Sequence, residues 1–343
     1  MIRVAINGFG RIGRLFFRQA FDAFDIVAIN DLSDIENLAY LLRHDTVYWG
    51  YGKKVATVEE EGKKYLAVGD KKILVVAEKD PARLPWGALG IDVAVECTGL
   101  FESFEGARAH IAAGAKRVVI SAPAKDEERP DARTILMGVN DQGMGTCPVT
   151  SNGSCTTNAA SPVVALMGET VGIMKAMLTT VHGYTATQSL VDAVVKSGDM
   201  RRGRAAAANI VPASSGVTVS IARAIPGLTG KFDGLAMRVP VLSGSLVDFT
   251  FLASRFTTVA EVNAVFTKAA QEPRFKGILS VTAEPLVSSD ILGMPYGSVV
   301  DLSFTKVVDG DLVKVLAWYD NEWGYVSTLV RHVEKAGVGI TGA

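Results

Sequence analysis

Three glycines near the amino terminus constrain the fold more than any other feature of this sequence. The segment NGFGRIG places Gly8, Gly10 and Gly13 directly after an apolar strand pattern and at the start of a helical pattern. The first glycine permits a tight turn, the second lets the backbone approach a pyrophosphate, and the third allows close packing of the helix. The N–H groups at the start of that helix favour a phosphate. The pattern therefore predicts a βαβ unit that binds a dinucleotide.

An acidic residue, Asp31, closes the second strand pattern, IVAIND. Its carboxylate can accept hydrogen bonds from both adenosine ribose hydroxyls, and it repels a 2′-phosphate. The sequence therefore favours NAD over NADP as the cofactor. FAD binds to a similar fingerprint and is an alternative ligand at this point.

The two halves of the chain differ in how strand and helix patterns alternate. Short apolar strand patterns alternate with helical patterns through the first half, which is typical of an α/β fold with a parallel, doubly wound sheet of the Rossmann type. From residue 155 the strand patterns are longer and partly alternating, which predicts an α+β domain with a mixed or antiparallel sheet. We expect one domain over residues 1–154, completed by a C-terminal helical segment over 321–343, and a second over 155–320.

Composition and charge exclude several classes of function. The chain has 343 residues, 48% of them hydrophobic, which is enough to bury two cores. Its 35 basic and 36 acidic residues nearly balance, so no overall positive potential attracts nucleic acid or anionic lipid. The three cysteines form no CxxC pair and the four histidines are scattered, so neither a disulfide framework nor a metal site is expected. No uncharged apolar run reaches the roughly 18 residues of a membrane span, and the start of the chain lacks a signal-peptide pattern. We expect a cytoplasmic protein with no membrane or nucleic-acid partner.

One cysteine, Cys155 in the segment SNGSCTTN, lies among small hydroxyl residues just ahead of an apolar helical pattern. The N-terminus of a helix lowers a cysteine pKa and so favours the nucleophilic thiolate; the alternative is a small buried residue, which is common for cysteine. His182 ends the apolar run KAMLTTVH and could face this thiol across a cleft, although such a histidine is often only structural. Together the two side chains predict a thiolate–imidazole pair that oxidises an aldehyde through a covalent hemithioacetal.

Six segments, in this order and spacing, carry a family resemblance: INGFGRIGR, ECTG, SNGSCTTN, TVHGYTATQ, MRVPV and WYDNEWGY. Over essentially residues 1–336 the chain resembles the phosphorylating glyceraldehyde-3-phosphate dehydrogenases. The resemblance implies a catalytic domain that begins at the cysteine, a homotetramer, and conversion of D-glyceraldehyde 3-phosphate to 1,3-bisphosphoglycerate with NAD and inorganic phosphate, through a hemithioacetal and a thioester. It makes Cys155 the nucleophile, and His182 the group that activates the thiol and then acts as general acid and base.

The resemblance also implies which residues bind the cofactor and the two phosphates. The residues similar to the family's cofactor contacts are Gly8, Gly10, Arg11, Ile12, Gly13, Asp31, Lys79, Ser121 and Asn321, the last on the nicotinamide carboxamide. Thr185 and Arg238 resemble one phosphate site, and Ser154, Thr156, Ser215 and Gly216 resemble the other. An arginine offers a planar fork for a phosphate dianion, whereas its ordinary role would be a surface ion pair.

The chain departs from the family pattern at a few positions. Gly153 stands where alanine is usual, and Ala159 stands where a second cysteine is frequent, which should leave catalysis intact. The segment 193–196 lacks a proline that NAD-specific members commonly carry beside the cofactor ribose, so use of NADP stays open. The segment DMRRGRAAAANIVP resembles a loop that reaches the cofactor of a neighbouring subunit, and could equally be a solvated basic loop.

Two other functions are compatible with these residues. Erythrose-4-phosphate dehydrogenase shares the nucleophile, the histidine and the cofactor fold, although TVHGYTATQ favours the glyceraldehyde enzyme. A non-catalytic dinucleotide-binding protein that acts as a redox sensor is the alternative from another class. The presence of the thiol, the imidazole and the arginine together argues against that alternative.

Overall fold

The computed structural model describes residues 1–195, 198–338 and 340. The chain divides into two compact units, the first made of Met1–Ile135, Asn140–Gly153 and Leu329–Ala343, the second of Leu136–Val139 and Ser154–Thr328. Lys196 of the segment without proline, and residues 339 and 341–343 of the expected C-terminal segment, lie outside the described residues.

The first unit has the alternating order of strands and helices that the sequence predicts. Its elements are β1 (Arg3–Asn7), α1 (Arg11–Ala20), β2 (Asp25–Asn30), α2 (Ile35–Arg43), β3 (Val55–Glu60), β4 (Lys63–Val68), β5 (Lys71–Val76), β6 (Val93–Glu96), α3 (Phe104–Ala112), β7 (Arg117–Ile120), β8 (Ala132–Thr134) and β9 (Val149–Ser151). In the described part of this unit the strands form one sheet in the order β3-β4-β5-β2-β1-β6-β7-β9-β8.

The sheet of the first unit is parallel over most of its width and antiparallel at one edge. Pairing is parallel from β5 through β2, β1, β6 and β7 to β9 and β8, as expected for a doubly wound sheet. The strands β3, β4 and β5 pair antiparallel. Glu61 and Gly62 between β3 and β4 both have positive φ, the backbone of a two-residue hairpin turn. This hairpin extends the sheet beyond the parallel part that the sequence analysis predicted.

The second unit contains the predicted mixed sheet. Its elements are α4 (Cys155–Thr170), β10 (Ile173–Gly183), β11 (Val211–Ser214), α5 (Val217–Ala224), β12 (Phe232–Val239), β13 (Ser245–Ala253), α6 (Val259–Ala269), β14 (Leu279–Thr282), β15 (Ser298–Val308), β16 (Leu312–Tyr319) and α7 (Trp323–Gly337), whose residues from Leu329 group with the first unit. The strand order in the described part is β11-β12-β10-β13-β16-β15-β14. The pairs β10–β12 and β14–β15 are parallel and the others are antiparallel, so the prediction is confirmed.

Alternation along β10 decides which side chains reach the interior of the second unit. Leu178, Thr180 and His182 are buried, whereas Met177 and Val181, which alternate with them, are exposed on the other face of the sheet. The buried face packs with α4 and α6 into one apolar core. His182 therefore lies on the face of the sheet that α4 covers. None of the described helices combines the length and apolar character that crossing a bilayer would require.

Candidate active site

The glycine-rich turn of the first unit has the geometry that its sequence predicts. Gly8 has a φ of +91°, and a Cβ at this position would lie 2.7 Å from the backbone nitrogen of Thr98, so only glycine fits. A Cβ on Gly13 would overlap the carbonyl oxygen of Gly8, which allows α1 to pack directly against the turn. A Cβ on Gly10, in contrast, would meet no protein atom within 4 Å. The protein itself does not require glycine at position 10, which fits a residue whose backbone a ligand approaches.

A cleft opens at the carboxyl ends of β1, β2 and β6, the edge where dinucleotides bind to such sheets. Its lining is formed by Asn7, Gly8, Gly10, Asn30, Asp31, Leu32, Glu78, Lys79, Cys97, Thr98, Leu100 and Phe101. Both carboxylate oxygens of Asp31 accept backbone hydrogen bonds, from Phe9 at 2.7 Å and from Ser33 at 2.9 Å. These bonds fix the carboxylate at the cleft and tie the glycine turn to the end of β2.

Of the cofactor residues predicted in the first unit, Arg11, Ile12, Gly13 and Ser121 are not in the lining of this cleft. The guanidinium of Arg11 pairs with Asp45 and lies over the ring of Tyr48, so only its backbone belongs to the glycine turn. Ile12 is half-buried in the first turn of α1. Ser121 follows β7, where its hydroxyl bonds the thiol of Cys97, and Cys97 itself lines the cleft. Burial raises the pKa of the Cys97 thiol to about 12, so this second thiol stays protonated.

The thiol of Cys155 lies at the first residue of α4. Ser154 caps this helix, because its hydroxyl oxygen accepts the backbone N–H of Thr157 at 3.0 Å. The sulfur of Cys155 is within hydrogen-bonding reach of its own backbone N–H and of the N–H and hydroxyl of Thr156. The polar segment SNGSCTTN thus places the sulfur at the positive end of the α4 dipole, as the sequence analysis predicted.

His182 reaches the thiol from the end of β10. Its Nε2 lies 3.3 Å from Sγ of Cys155. In the parallel pair β10–β12, His182 is the register partner of Arg238, so both side chains leave the sheet side by side. Nη1 of Arg238 lies 2.8 Å from Nδ1 of His182 and 3.2 Å from the carbonyl oxygen of Gly183. Three segments far apart in sequence therefore converge on one thiol, imidazole and guanidinium cluster.

The pKa of Cys155 in this cluster differs from the expectation for a cysteine at a helix start. Burial raises the pKa of the Cys155 thiol, and this effect exceeds the lowering by the charge of Arg238 and by the hydrogen bonds of Thr156. The predicted lowering of this pKa is therefore wrong, because the sequence shows the helix start but not the burial. Burial, followed by the charge of Arg238, lowers the pKa of His182 to about 3, so the imidazole is neutral. In this arrangement the pair is thiol and neutral imidazole.

Tyr319, at the end of β16, supports the cluster from the interior and was not identified from the sequence. Its hydroxyl lies 3.0 Å from Oγ1 of Thr156 and 2.7 Å from Oγ1 of Thr180. Its ring packs edge-on against the imidazole of His182, with the ring centroids 5.9 Å apart. The only sequence signal for this role was the position of Tyr319 just before the DNEWGY segment. Tyr319 thus holds the residue after the nucleophile and the imidazole in place together.

The predicted phosphate residues form two groups in the second unit. Oγ1 of Thr185 lies 2.9 Å from Oγ1 of Thr187, which accepts a hydrogen bond from Nη1 of Arg202 at 3.3 Å. The charge of Arg202 also acts on Arg238 and helps to lower its pKa. Arg202, which the sequence analysis assigned only to a loop, therefore joins Thr185 and Arg238 in a cluster of hydroxyls and cations.

The second predicted phosphate group is built on two helix starts. Ser154 and Thr156 flank the nucleophile at the start of α4, whereas Ser215 and Gly216 precede α5, with Gly216 exposed at its N-cap. The hydroxyl of Ser154 is within 2.7 Å of the hydroxyl of Thr157, so it takes part in the cap. A helix start with small hydroxyl residues offers N–H and O–H donors to an anion.

Asn321, predicted to bind the nicotinamide, is buried just after β16. Its Oδ1 accepts hydrogen bonds from the hydroxyls of Ser245 at 2.7 Å and Ser243 at 3.2 Å. These two bonds fix the orientation of the amide and leave its NH₂ group as the donor end. A donor in a fixed orientation suits the carbonyl oxygen of a carboxamide.

The chain combines a doubly wound sheet that has a dinucleotide cleft with a cysteine–histidine pair. This combination defines the class of nucleotide-dependent dehydrogenases that use a thiol nucleophile. Two family models match: "Glyceraldehyde 3-phosphate dehydrogenase, NAD binding domain" over residues 2–104 and "Glyceraldehyde 3-phosphate dehydrogenase, C-terminal domain" over residues 154–321. The chain belongs to the glyceraldehyde-3-phosphate dehydrogenase family, and it is an NAD-dependent dehydrogenase. Of the ligands left open by the glycine pattern, the family match selects NAD and not FAD.

Individual relatives agree with the family assignment over nearly the whole chain. Three are named glyceraldehyde-3-phosphate dehydrogenase. The protein from Streptomyces coelicolor is 47% identical over 334 residues, which cover 96% of each chain. The protein from Mycobacterium tuberculosis is 47% identical over 345 residues, 98% of each chain. The protein from Clostridium pasteurianum is 45% identical over 340 residues, 97% of this chain and 98% of its own.

Proposed function

We propose that this chain catalyses the oxidative phosphorylation of D-glyceraldehyde 3-phosphate by NAD and inorganic phosphate, with Cys155 as nucleophile. The observation that carries the proposal is the 3.3 Å contact between Sγ of Cys155 and Nε2 of His182 at the start of α4. A thiol within hydrogen-bond distance of a buried imidazole can transfer its proton and attack a carbonyl carbon. The first unit acts as the dinucleotide-binding domain and the second as the catalytic domain.

His182 moves the protons in this scheme. Nε2 accepts the proton of the thiol, and the sulfur bonds to the aldehyde carbon. The imidazolium then protonates the resulting oxyanion to give the hemithioacetal hydroxyl, which returns this proton to the neutral imidazole as the carbon is oxidised. The N–H groups at the start of α4 are available to stabilise the oxyanion. NAD, when bound, accepts the hydride from that carbon. The thioester left on Cys155 is then attacked by phosphate, which releases 1,3-bisphosphoglycerate and the thiolate.

Arg238 supports the choice of a phosphorylated substrate. It is partly buried, burial lowers its pKa, and among the described residues no carboxylate forms an ion pair with it. A desolvated cation without a protein counter-ion favours a ligand anion. We assign Arg238, Thr185 and Thr187 to the phosphate of the substrate, with Arg202 beside them. Ser154, Thr156, Ser215 and Gly216 are assigned to inorganic phosphate.

The residues of the first unit fit NAD in the proposed role. Gly10 leaves room for close approach of a ligand to the backbone, and Asp31 presents a fixed carboxylate at the same cleft. Gly8, Gly13, the backbone of Arg11 and Ile12, and Lys79 and Ser121 would complete the cofactor site, with Asn321 on the carboxamide. The carboxylate of Asp31 disfavours the 2′-phosphate of NADP.

An apolar outer sheet surface supports the proposal that the protein is a homotetramer. Met174, Met177, Val181 and Leu235 are exposed on the strands β10 and β12, with Met177 59% exposed. Contiguous exposed apolar side chains on a sheet favour contact with another protein surface. We also propose that the protein acts in the cytoplasm, where thiols stay reduced.

The proposed reaction is tested by measuring NADH formation from glyceraldehyde 3-phosphate with and without inorganic phosphate. We expect steady turnover with phosphate, and a burst of at most one NADH per chain without it. Cys155→Ser should abolish oxidation, because a hydroxyl is a far poorer nucleophile than a thiolate. Cys147→Ser is the matched control, since the sulfur of this buried cysteine lies near the backbone carbonyl oxygens of Pro130 and Gly143, and the variant should retain turnover. A higher kcat/KM for erythrose 4-phosphate would contradict the substrate assignment.

A further inference from the structure

A buried carboxylate, Glu96 at the end of β6, lies directly behind the lining of the dinucleotide cleft and is 2% exposed. Its Oε2 accepts a hydrogen bond from Nδ2 of Asn7 at 2.5 Å and lies 3.0 Å from Nε2 of His110. Its Oε1 accepts the backbone N–H of Thr98 at 2.7 Å and also the hydroxyl of that residue. Asn7 and Thr98 both line the cleft, so a single layer of side chains separates Glu96 from a ligand bound there.

His110 contacts this carboxylate as a neutral imidazole. The indole N–H of Trp86 can only donate, and it lies 2.9 Å from Nδ1 of His110. Nδ1 therefore keeps its lone pair, and the proton of the ring lies on Nε2, which donates to Oε2 of Glu96. The contact is thus a hydrogen bond from a neutral donor, and it supplies no positive charge to Glu96.

A chain of amides fixes the donor on the other side of the carboxylate. The backbone N–H of Glu78 donates to Oδ1 of Asn30 at 2.8 Å, which sets the orientation of that amide. Nδ2 of Asn30 then donates to Oδ1 of Asn7 at 2.7 Å, so Nδ2 of Asn7 points to Glu96. All the hydrogen-bonding neighbours of Glu96 are therefore donors. An ionised carboxylate satisfies this arrangement, whereas a protonated carboxyl group would lack an acceptor for its own proton.

The negative charge of Glu96 has no protein counter-ion. In the part of the chain that the structure describes, no lysine or arginine forms an ion pair with this residue. The cleft itself is lined by two further carboxylates, Asp31 and Glu78, and by one cation, the exposed Lys79. Burial raises the pKa of the Cys97 thiol, and the charge of Glu96 adds to that rise, so the charge acts on the lining of the cleft. A buried charge without a counter-ion favours a ligand group of opposite sign.

We infer that Glu96 makes the cleft bind the oxidised dinucleotide in preference to the reduced one. NAD carries a positive charge on its nicotinamide ring, and NADH lacks that charge. A fixed negative charge behind the cleft attracts the cationic ring and gives no such attraction to the neutral ring. The preference favours exchange of NADH for NAD after each hydride transfer. The inference rests on the proposed placement of the cofactor at this cleft, and it makes Glu96 a specificity-determining residue that acts through its charge.

A purely structural role for Glu96 predicts a different result. If Glu96 only held Asn7 and Thr98 in place, its loss would weaken the binding of NAD and NADH by the same factor. Loss of its charge, in contrast, changes the ratio of the two dissociation constants. A unit charge acting over roughly 10 Å, at an effective dielectric constant of about 20 to 40, changes an equilibrium constant about 4- to 16-fold. The ratio therefore separates the two roles.

The test is isothermal titration calorimetry of NAD and of NADH, without aldehyde or phosphate, on the unmodified protein and on Glu96→Gln. We expect the ratio of the Kd of NADH to the Kd of NAD to fall at least about fourfold in the variant. Asp22→Asn is the control, because it removes the same charge from an exposed ion pair with Lys53 beyond the far end of α1. Its ratio should equal that of the unmodified protein. A ratio that is unchanged or raised in Glu96→Gln would overturn the inference.

A second neutral variant guards against misfolding, because the amide introduced by Glu96→Gln faces the N–H donors of Asn7 and His110. In Trp86→Phe/Glu96→Gln the indole donor is absent, so Nδ1 of His110 can hold the proton and Nε2 can accept from the introduced amide. The ratio should fall as in the single variant, and an unchanged ratio in this folded protein would also overturn the inference. Failure of the unmodified protein to bind either dinucleotide would overturn the cofactor site itself, whereas an unchanged ratio overturns only the role of Glu96.

Discussion

Two of the three buried histidines, His332 in the first unit and His182 in the second, have similar burial but different hydrogen-bonding. His332 in the first unit has Oδ1 of Asn152 at 3.0 Å from Nδ1 and the hydroxyl of Thr150 at 2.8 Å from Nε2. One tautomer, protonated at Nδ1, satisfies both contacts. His182 in the second unit has no tautomer that satisfies both Gly183 and Arg238. One tautomer satisfies the first arrangement, whereas the second places opposite requirements on one ring nitrogen.

Both imidazoles are neutral, so their difference does not lie in charge. Burial lowers the pKa of each to about 3, with a further lowering by Arg238 at His182 and by Lys335 at His332. What differs is the partner that faces Nε2, a hydroxyl at His332 and a thiol at His182. The two imidazoles are therefore distinguished by the conflict at Nδ1 and by the partner at Nε2, and not by their pKa values.

The largest expected difference between the two histidines is in catalysis. His182→Asn removes the group that accepts the thiol proton, so kcat should fall by about 10² to 10⁴-fold, the usual contribution of general acid–base catalysis. The melting temperature should change little, because the contacts of His182 already conflict. Steady-state kinetics and thermal unfolding of the same sample measure both. A variant with near-normal kcat would mean that the start of α4 alone activates Cys155.

A smaller effect on catalysis is expected from substitution of Arg238, whose guanidinium neighbours His182. Arg238→Leu should reduce kcat/KM for glyceraldehyde 3-phosphate relative to unphosphorylated glyceraldehyde by a factor corresponding to about 1.5–3 kcal/mol, the range for charged hydrogen bonds. Misfolding would depress both substrates together. If the ratio of the two efficiencies equals that of the unmodified protein, Arg238 does not bind the substrate phosphate.

At His332 the expected effect is on stability and its dependence on pH. His332→Asn should lower the free energy of unfolding by about 1–3 kcal/mol at pH 7.5, since Thr150 and Asn152 lose a buried partner. The folded pKa is about 3, below the ordinary value of 6.5, so this histidine contributes stability above pH 6.5 and loses it as the pH falls toward 3. The variant should therefore lose less stability than the unmodified protein between pH 7 and 4 in urea titrations. An identical pH slope in both proteins would contradict the assignment of His332 as a neutral buried group.

The smallest expected effect concerns the cofactor preference of the first unit. Asp31→Gly should lower the ratio of kcat/KM with NAD to that with NADP by about tenfold, because the carboxylate no longer repels the 2′-phosphate or binds the ribose hydroxyls. Parallel assays with the two cofactors measure the ratio. If the unmodified protein already uses both cofactors equally, the missing proline in segment 193–196 outweighs Asp31.

Local features were predictable from the sequence and long-range contacts were not. The roles of Gly8 and Gly13 follow from the turn they occupy, and the start of α4 follows from the polar residues around Cys155. The contact between His182 and Arg238 depends on the register of β10 and β12, which the sequence does not state. Burial of the thiol likewise depends on the packing of distant segments. For that reason the sequence predicts that Cys155 lies at a helix start but not the direction of its pKa shift.

The most direct test of the account is a single-turnover reaction of glyceraldehyde 3-phosphate and NAD without inorganic phosphate, quenched in acid and followed by peptide mass spectrometry. The account predicts NADH and an acyl thioester in equal amounts, with the acyl group on the peptide that contains Cys155. Addition of phosphate before the quench should remove the acyl group and release 1,3-bisphosphoglycerate. NADH formed without an acyl group on Cys155, or with one on Cys97 or Cys147, would contradict the account.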